Sequence, residues 1–210
     1  MSVAALVWHT VRPGQEPEFI AAVVCRMQGR RLRIPSLRPA ILLQSQTQPQ
    51  RFCWLGEWES STAYEAGAQE VNADFTPYCT GPLAATFLTH LHVREHIGER
   101  LAAVTCGVMQ ATPDGTDALR TMARGYMALP LESTPDLAWR ALYQAAAEPS
   151  RFVVVRGWRT VGGADAFLRT QLGAIRTQLA ERGAHLEVFS GRAWVDTDRQ
   201  ALPKLRMAAD

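Results

Sequence analysis

The chain has 210 residues, of which 47% are hydrophobic and 20% charged, an ordinary globular composition with enough length to bury a substantial core. Its formal net charge of +2 gives no electrostatic case for a nucleic-acid partner. Cys25, Cys53, Cys79 and Cys106 form no CxxC pair, and no apolar run has the length of a membrane span or the pattern of a signal peptide. The sequence therefore reads as a soluble cytoplasmic protein without a zinc site, a disulfide framework or a membrane partner.

Val3 to Val11 is a β-rich run ended by the turn signal Arg12-Pro13-Gly14. A helix is expected from Glu16 to about Arg33, because Phe19, Val23 and Met27 share one face at i, i+4 and i+8. Glu16 and Glu18 at its start and Arg30, Arg31 and Arg33 at its end complement the helix dipole. Two strands follow, Ala40 to Thr47 and Arg51 to Glu59, joined by Gln48-Pro49-Gln50. A second helix is expected over roughly Ser61 to Asn72, breaking before Thr76-Pro77, and a last strand over Thr86 to Glu95.

The second half repeats this layout at an offset of 100 residues. Pro13, Met27, Leu37, Leu42, Gln44 and Pro49 match Pro113, Met127, Leu137, Leu142, Gln144 and Pro149. Arg51-Phe52 and Trp58 match Arg151-Phe152 and Trp158. The corresponding elements are a strand at Leu101 to Ala111, a helix carrying Leu119, Met122, Tyr126 and Leu129, strands at Leu137 to Ala146 and Arg151 to Arg159, a helix at Ala164 to Arg182 and a strand at His185 to Val195. Proline closes the first helix of each half, Pro35 in one and Pro130 with Pro135 in the other.

Each half is thus expected to be a ferredoxin-like β-α-β-β-α-β unit. Such a sheet carries helices on one face and must bury the other. The expected fold is α+β, with tandem repeats at 1–98 and 99–198 and a loosely held tail at 199–210. Their two antiparallel sheets would pack face to face into an α+β barrel within one chain.

The run Arg51 to Ala66, with Trp58, Glu59, Ser60 and Ala63, resembles the third strand and following helix of antibiotic biosynthesis monooxygenase domains. The resemblance covers each half, so the chain looks like a tandem-fused form of domains usually found as homodimers. Members of that family include oxygenases that turn anthrones or naphthols into quinones without metal, flavin or haem. Others degrade haem, oxidise quinols or cyclise polyketides. The resemblance implies that Trp58 and Tyr64, six residues apart, line a substrate cavity. It also implies a pocket asparagine and arginine, for which Asn72 and Arg94 are available. The helix histidine of many members is absent from Glu65-Ala66-Gly67-Ala68-Gln69, which argues against haem degradation.

In the second half Ala164 stands for Tyr64, Arg156 for Gly56 and Arg159 for Glu59. The first half is therefore expected to hold the working pocket and the second to complete the barrel. Phe52, Trp54 and Trp58 share a strand face and make a stacking wall or simply core. The recurrence of Trp58 as Trp158 favours core for that residue. His90, His92 and Arg94 are expected on one face of the last strand, with His9 on a neighbouring strand. These residues make either a polar, solvated strand face or part of the site, in which His9 or His90 would serve as proton acceptor and His92 and Arg94 would hold the ligand. A metal held by His90 and His92 has no carboxylate or cysteine support.

These features lead to a cofactor-independent oxygenase for a polycyclic aromatic polyketide intermediate, in antibiotic or pigment biosynthesis. Its partners would be that small molecule and dioxygen, with a homodimer open. A non-oxidative cyclase or decarboxylase on the same fold and a non-catalytic accessory module are the alternatives, because function resides in the site rather than the fold.

Overall fold

The computed structural model describes residues 3–30, 37–45, 48–58, 60–81, 84–95 and 101–192. The first half contains strand β1 (Val3–Thr10), helix α1 (Glu16–Arg30), strands β2 (Leu37–Ser45) and β3 (Arg51–Trp58), helix α2 (Ser61–Phe75) and strand β4 (Ala84–Glu95). The second contains β5 (Ala103–Ala111), α3 (Thr116–Ala128), β6 (Leu137–Ala145), β7 (Arg151–Trp158), α4 (Val161–Thr170), α5 (Leu172–Ala180) and β8 (Ala184–Arg192). The segments 31–36 and 193–210, and with them Pro35 and the expected tail, lie outside the described residues.

The eight strands form one closed barrel in the order β1-β3-β2-β8-β5-β7-β6-β4. Each half supplies four neighbouring strands, and the two sheets also join edge to edge. One seam runs between β4 and β6, from Leu88 opposite Ala145 to Glu95 opposite Trp139. At the other, Gln44 stands opposite Ser190 and Ser45 opposite Phe189. Around this short seam Trp8 and Phe189 pack at 5.1 Å, the Arg51 guanidinium lies over both rings, and Arg51 Nη1 reaches Glu187 Oε1 at 2.5 Å. The ion pair is more than a third exposed, so it contributes under about 1 kcal/mol. Closure uses an edge strand of each sheet at both seams.

A barrel covered by helices buries both faces of its strands, which is why β5 and β7 read as nearly unbroken apolar runs. One set of alternate residues fills the interior, with Leu6, Leu43, Leu55, Val104, Val155 and Tyr143 among them. The other set meets the helices in three outer clusters. Equivalent turns are built alike: Gln44 Nε2 donates to the Pro49 carbonyl at 2.7 Å and Gln144 Nε2 to that of Pro149 at 2.5 Å.

Four elements differ from expectation. The buried face of α3 is Leu119, Ala123 and Met127, with Met122 and Tyr126 packed beside it. Leu129 is extended and 49% exposed, because a residue before proline is pushed out of the helical region. Helix α2 continues past Asn72 to Phe75 and ends before Thr76-Pro77, the break the sequence indicates, with Pro77 in a short 3-10 turn. The single helix expected over Ala164 to Arg182 is two, α4 and α5, meeting at Gln171. There the Thr170 hydroxyl donates to the Ala166 carbonyl at 2.8 Å, a local bond that bends helices.

The fourth difference is a register shift in β4 between His90, which stands opposite Tyr143, and His92, which stands opposite Leu142. Tyr143 belongs to the barrel interior and Leu142 to an outer cluster. The shift is a bulge in the backbone register of β4 on β6.

Candidate functional site

The outer layer of the first half is aromatic. Strand alternation sends Phe52, Trp54 and Trp58 of β3 toward the helices and Cys53 and Leu55 into the barrel. Helix α2 is started by Ser60, whose Oγ accepts the Ala63 amide at 3.1 Å. One turn in, Tyr64 meets the Trp58 ring edge-on at 5.4 Å, and Phe87 of β4 meets Tyr64 at 5.0 Å. Trp58 is 4% exposed and Tyr64 8%. Burial raises the Tyr64 hydroxyl above its ordinary pKa, so at neutral pH it is a hydrogen-bond donor rather than a phenolate.

Gly67 lets α2 approach the indole. A Cβ at this position would stand 2.9 Å from Trp58 Cζ3 and 3.0 Å from Cη2. Alanine would gain about 1 kcal/mol of helix propensity but lose about 1–3 kcal/mol to overpacking against a buried ring. Gly67→Ala is therefore expected to lower stability by about 1 kcal/mol and to shift tryptophan fluorescence. A more stable variant with unchanged fluorescence would mean that Trp58 is loosely held.

His9 does not join this group. It stands opposite Phe52, at the other end of the β1–β3 pair from Trp58, roughly 20 Å away at about 3.3 Å per residue. Its ring packs against Phe19 at 5.3 Å and Phe75 at 6.2 Å. Both ring nitrogens are buried without a hydrogen-bond partner, and burial lowers its pKa from 6.5 to about 4. His9 is beyond hydrogen-bond reach of a group held at Tyr64, which corrects its expected place in the same pocket.

The backbone places the other expected residues, while the side chains of Asn72, His90, His92 and Arg94 lie outside the described part. Leu88 stands opposite Ala4, so β4 carries His90 toward the Trp58 end of β1. Asn72 is in the last turns of α2, and Arg94 stands opposite Arg140. Among the described residues no group of three His, Cys, Asp or Glu side chains is placed to hold a metal ion.

The second half builds its outer layer differently. Trp158 is fully buried, and its indole N–H donates to Thr105 Oγ1 at 3.0 Å. Ala164 occupies the helix position of Tyr64, while Phe167, one turn later, occupies that of Gly67 and packs on Trp158 at 5.1 Å. The large residue has moved by one helical turn, and the ring contact with the strand tryptophan is kept.

Two buried arginines stand in the same layer. Arg140 Nη2 donates to the carbonyls of Met127 and Leu129, satisfying the C-terminal end of α3. Arg156 Nε donates to the Tyr126 hydroxyl at 2.9 Å, and its guanidinium lies 4.9 Å from the Tyr126 ring centre and 4.7 Å from that of Phe167. Arg156 also lines a cavity of about 20 Å3 with Thr105, Gly107 and Phe167. The exchange of Gly56 for Arg156 is visible in the sequence. Its burial and the cavity are not.

The architecture is that of a ferredoxin-type α+β barrel whose helices cover an aromatic layer in each half. A protein of Fusobacterium nucleatum subsp. nucleatum assigned as a monooxygenase superposes with a TM-score of 0.68, over 96% of this chain and 98% of its own, at 9% identity. A Lactobacillus acidophilus protein with the same assignment gives 0.65 over 92% and 97%, at 7% identity. An anthrone oxidase-like protein gives 0.65 over 97% of each chain, at 13% identity. At these identities the likeness is one of fold. No protein-family model matches the sequence, and no functionally curated protein matches it.

Proposed function

We propose that the chain is a cofactor-independent monooxygenase that oxidises a polycyclic aromatic of the anthrone, naphthol or hydroquinone type with dioxygen. The observation that carries this reading is the Trp58–Tyr64–Phe87 cluster between β3, β4 and α2, in which Trp58 and Tyr64 are buried and Phe87 is half-buried. Aromatic walls suit a flat ligand. The protonated Tyr64 hydroxyl supplies a hydrogen bond to an oxygen on which negative charge develops. Independence of a cofactor rests on the resemblance of the Trp58–Ala63 run to the monooxygenase domains. The substrate carbanion itself reduces dioxygen to a peroxide, and loss of water converts the oxidised methylene to a carbonyl. The proposal includes two halves, 1–98 and 99–198, as copies of one unit, with the pocket in the first and a tail at 199–210.

The test is oxygen uptake by the metal-stripped protein given a reduced anthrone, with quinone absorbance followed alongside. Enzyme-dependent uptake with quinone formation is expected. Tyr64→Phe is expected to lower kcat by on the order of 10²-fold with the fold intact by circular dichroism. Unchanged turnover in that variant would remove Tyr64 from the mechanism. No uptake over a small panel of hydroquinones and anthrones would favour the non-oxidative cyclase or decarboxylase.

A further inference from the structure

We propose that the second half carries a binding site of its own, in which Arg156 holds the carboxylate of an organic acid. Arg156 is 8% exposed, yet no carboxylate pairs with it among the described residues. A buried cation without a counter-ion is costly, and a ligand anion would relieve that cost. The guanidinium is held in place: Tyr126 takes its Nε–H, and the Tyr126 and Phe167 ring centres lie 4.9 Å and 4.7 Å from its central carbon. This leaves the edge formed by the two terminal nitrogens, which matches the two oxygens of a carboxylate.

Gly107 keeps space open before that edge. A Cβ built on it would stand 3.8 Å from Arg156 Nη1 and 3.1 Å from Leu186 Cδ1. The cavity there, about 20 Å3, is of the size that holds one water or slightly more, so the oxygens of a carboxylate would take up all of it and a ring would stay outside. Thr105 is the one hydroxyl in its wall, and the remaining wall is apolar, including Leu172 and Ile175 of α5. Both are half-buried and follow the bend at Gln171, so the apolar remainder of a ligand would leave the cavity along them. One cation in apolar surroundings suits a monoanion with an apolar tail rather than a phosphate. The corresponding first-half residues are Ala5 for Thr105 and Gly56 for Arg156, so the site has no counterpart there.

Calorimetric titration with phenylacetate, and with the neutral phenylacetamide, tests this without any turnover assay. Phenylacetate is expected to bind saturably and the amide at least ten-fold more weakly. Arg156→Met is expected to lose at least ten-fold in phenylacetate affinity. Gly107→Ala, which keeps the charge and fills the space, is expected to lose affinity as well. Tyr64→Phe is expected to leave this binding unchanged, which separates the site from the proposed oxygenase pocket. Absence of saturable binding to the folded protein would overturn the proposal. So would equal binding of acid and amide, or undiminished phenylacetate affinity in a folded Arg156→Met or Gly107→Ala variant.

Discussion

Ala164→Tyr is expected to destabilise the protein by about 1–3 kcal/mol, because Phe167 already fills the space beside Trp158 that Tyr64 fills beside Trp58. Phe167→Gly is expected to cost about 3–5 kcal/mol, since it empties a position only 8% exposed. Combined, the two changes recreate in α4 the Tyr and Gly arrangement of α2. The double variant should therefore be more stable than the sum of the single changes allows, by at least about 1 kcal/mol of coupling. Urea unfolding of the four proteins measures this directly. Simple additivity would show that the two layers are packed by unrelated solutions. Arg156 would lose its contact with the Phe167 ring in the double variant, so rescue should be incomplete.

A second large effect is expected on the acid side. His9 has a pKa lowered from 6.5 to about 4 by burial. Between these values the unfolded chain binds a proton at this position that the folded chain does not. Stability therefore falls as pH drops through 6.5, and the loss is complete below about 4. The difference corresponds to about 3 kcal/mol, at roughly 1.4 kcal/mol per pH unit. His9→Leu should flatten this dependence. At pH 7 it should be neutral or stabilising by about 1 kcal/mol, because two unpartnered polar nitrogens leave the core. The check is the unfolding free energy from pH 8 to pH 4 in both proteins. An equally steep loss in His9→Leu would assign acid sensitivity to other groups.

Much of the candidate site was legible one strand at a time. The alternation of Phe52, Trp54 and Trp58 against Cys53 and Leu55 fixed which residues face the helices, because a covered strand obeys a period of two. The Trp58-to-Tyr64 spacing brought two aromatic residues together across a short strand-to-helix connection. Reasoning of this kind weakened wherever a position depended on a partner far along the chain. His9 and Trp58 sit on paired strands, but their separation is set by the register of β1 on β3. His90 and His92 have the spacing of one strand face, and the backbone register of β4 on β6 shifts between them. Leu129 continued a plausible helical stripe, and Pro130 ended the helix just before it could be used.

By itself the sequence determined the order of the eight strands, the residues matched at an offset of 100 and the aromatic character of β3. These follow from local periodicity, turn residues and composition, which act over a few residues. Only the tertiary structure decided that the two sheets of the expected barrel join edge to edge, that His9 lies far from Tyr64, and that Arg156 is buried beside a cavity without a carboxylate partner among the described residues. Each of these depends on strand register and on packing between segments far apart in the chain, and burial is a property of the assembled layers rather than of any one of them.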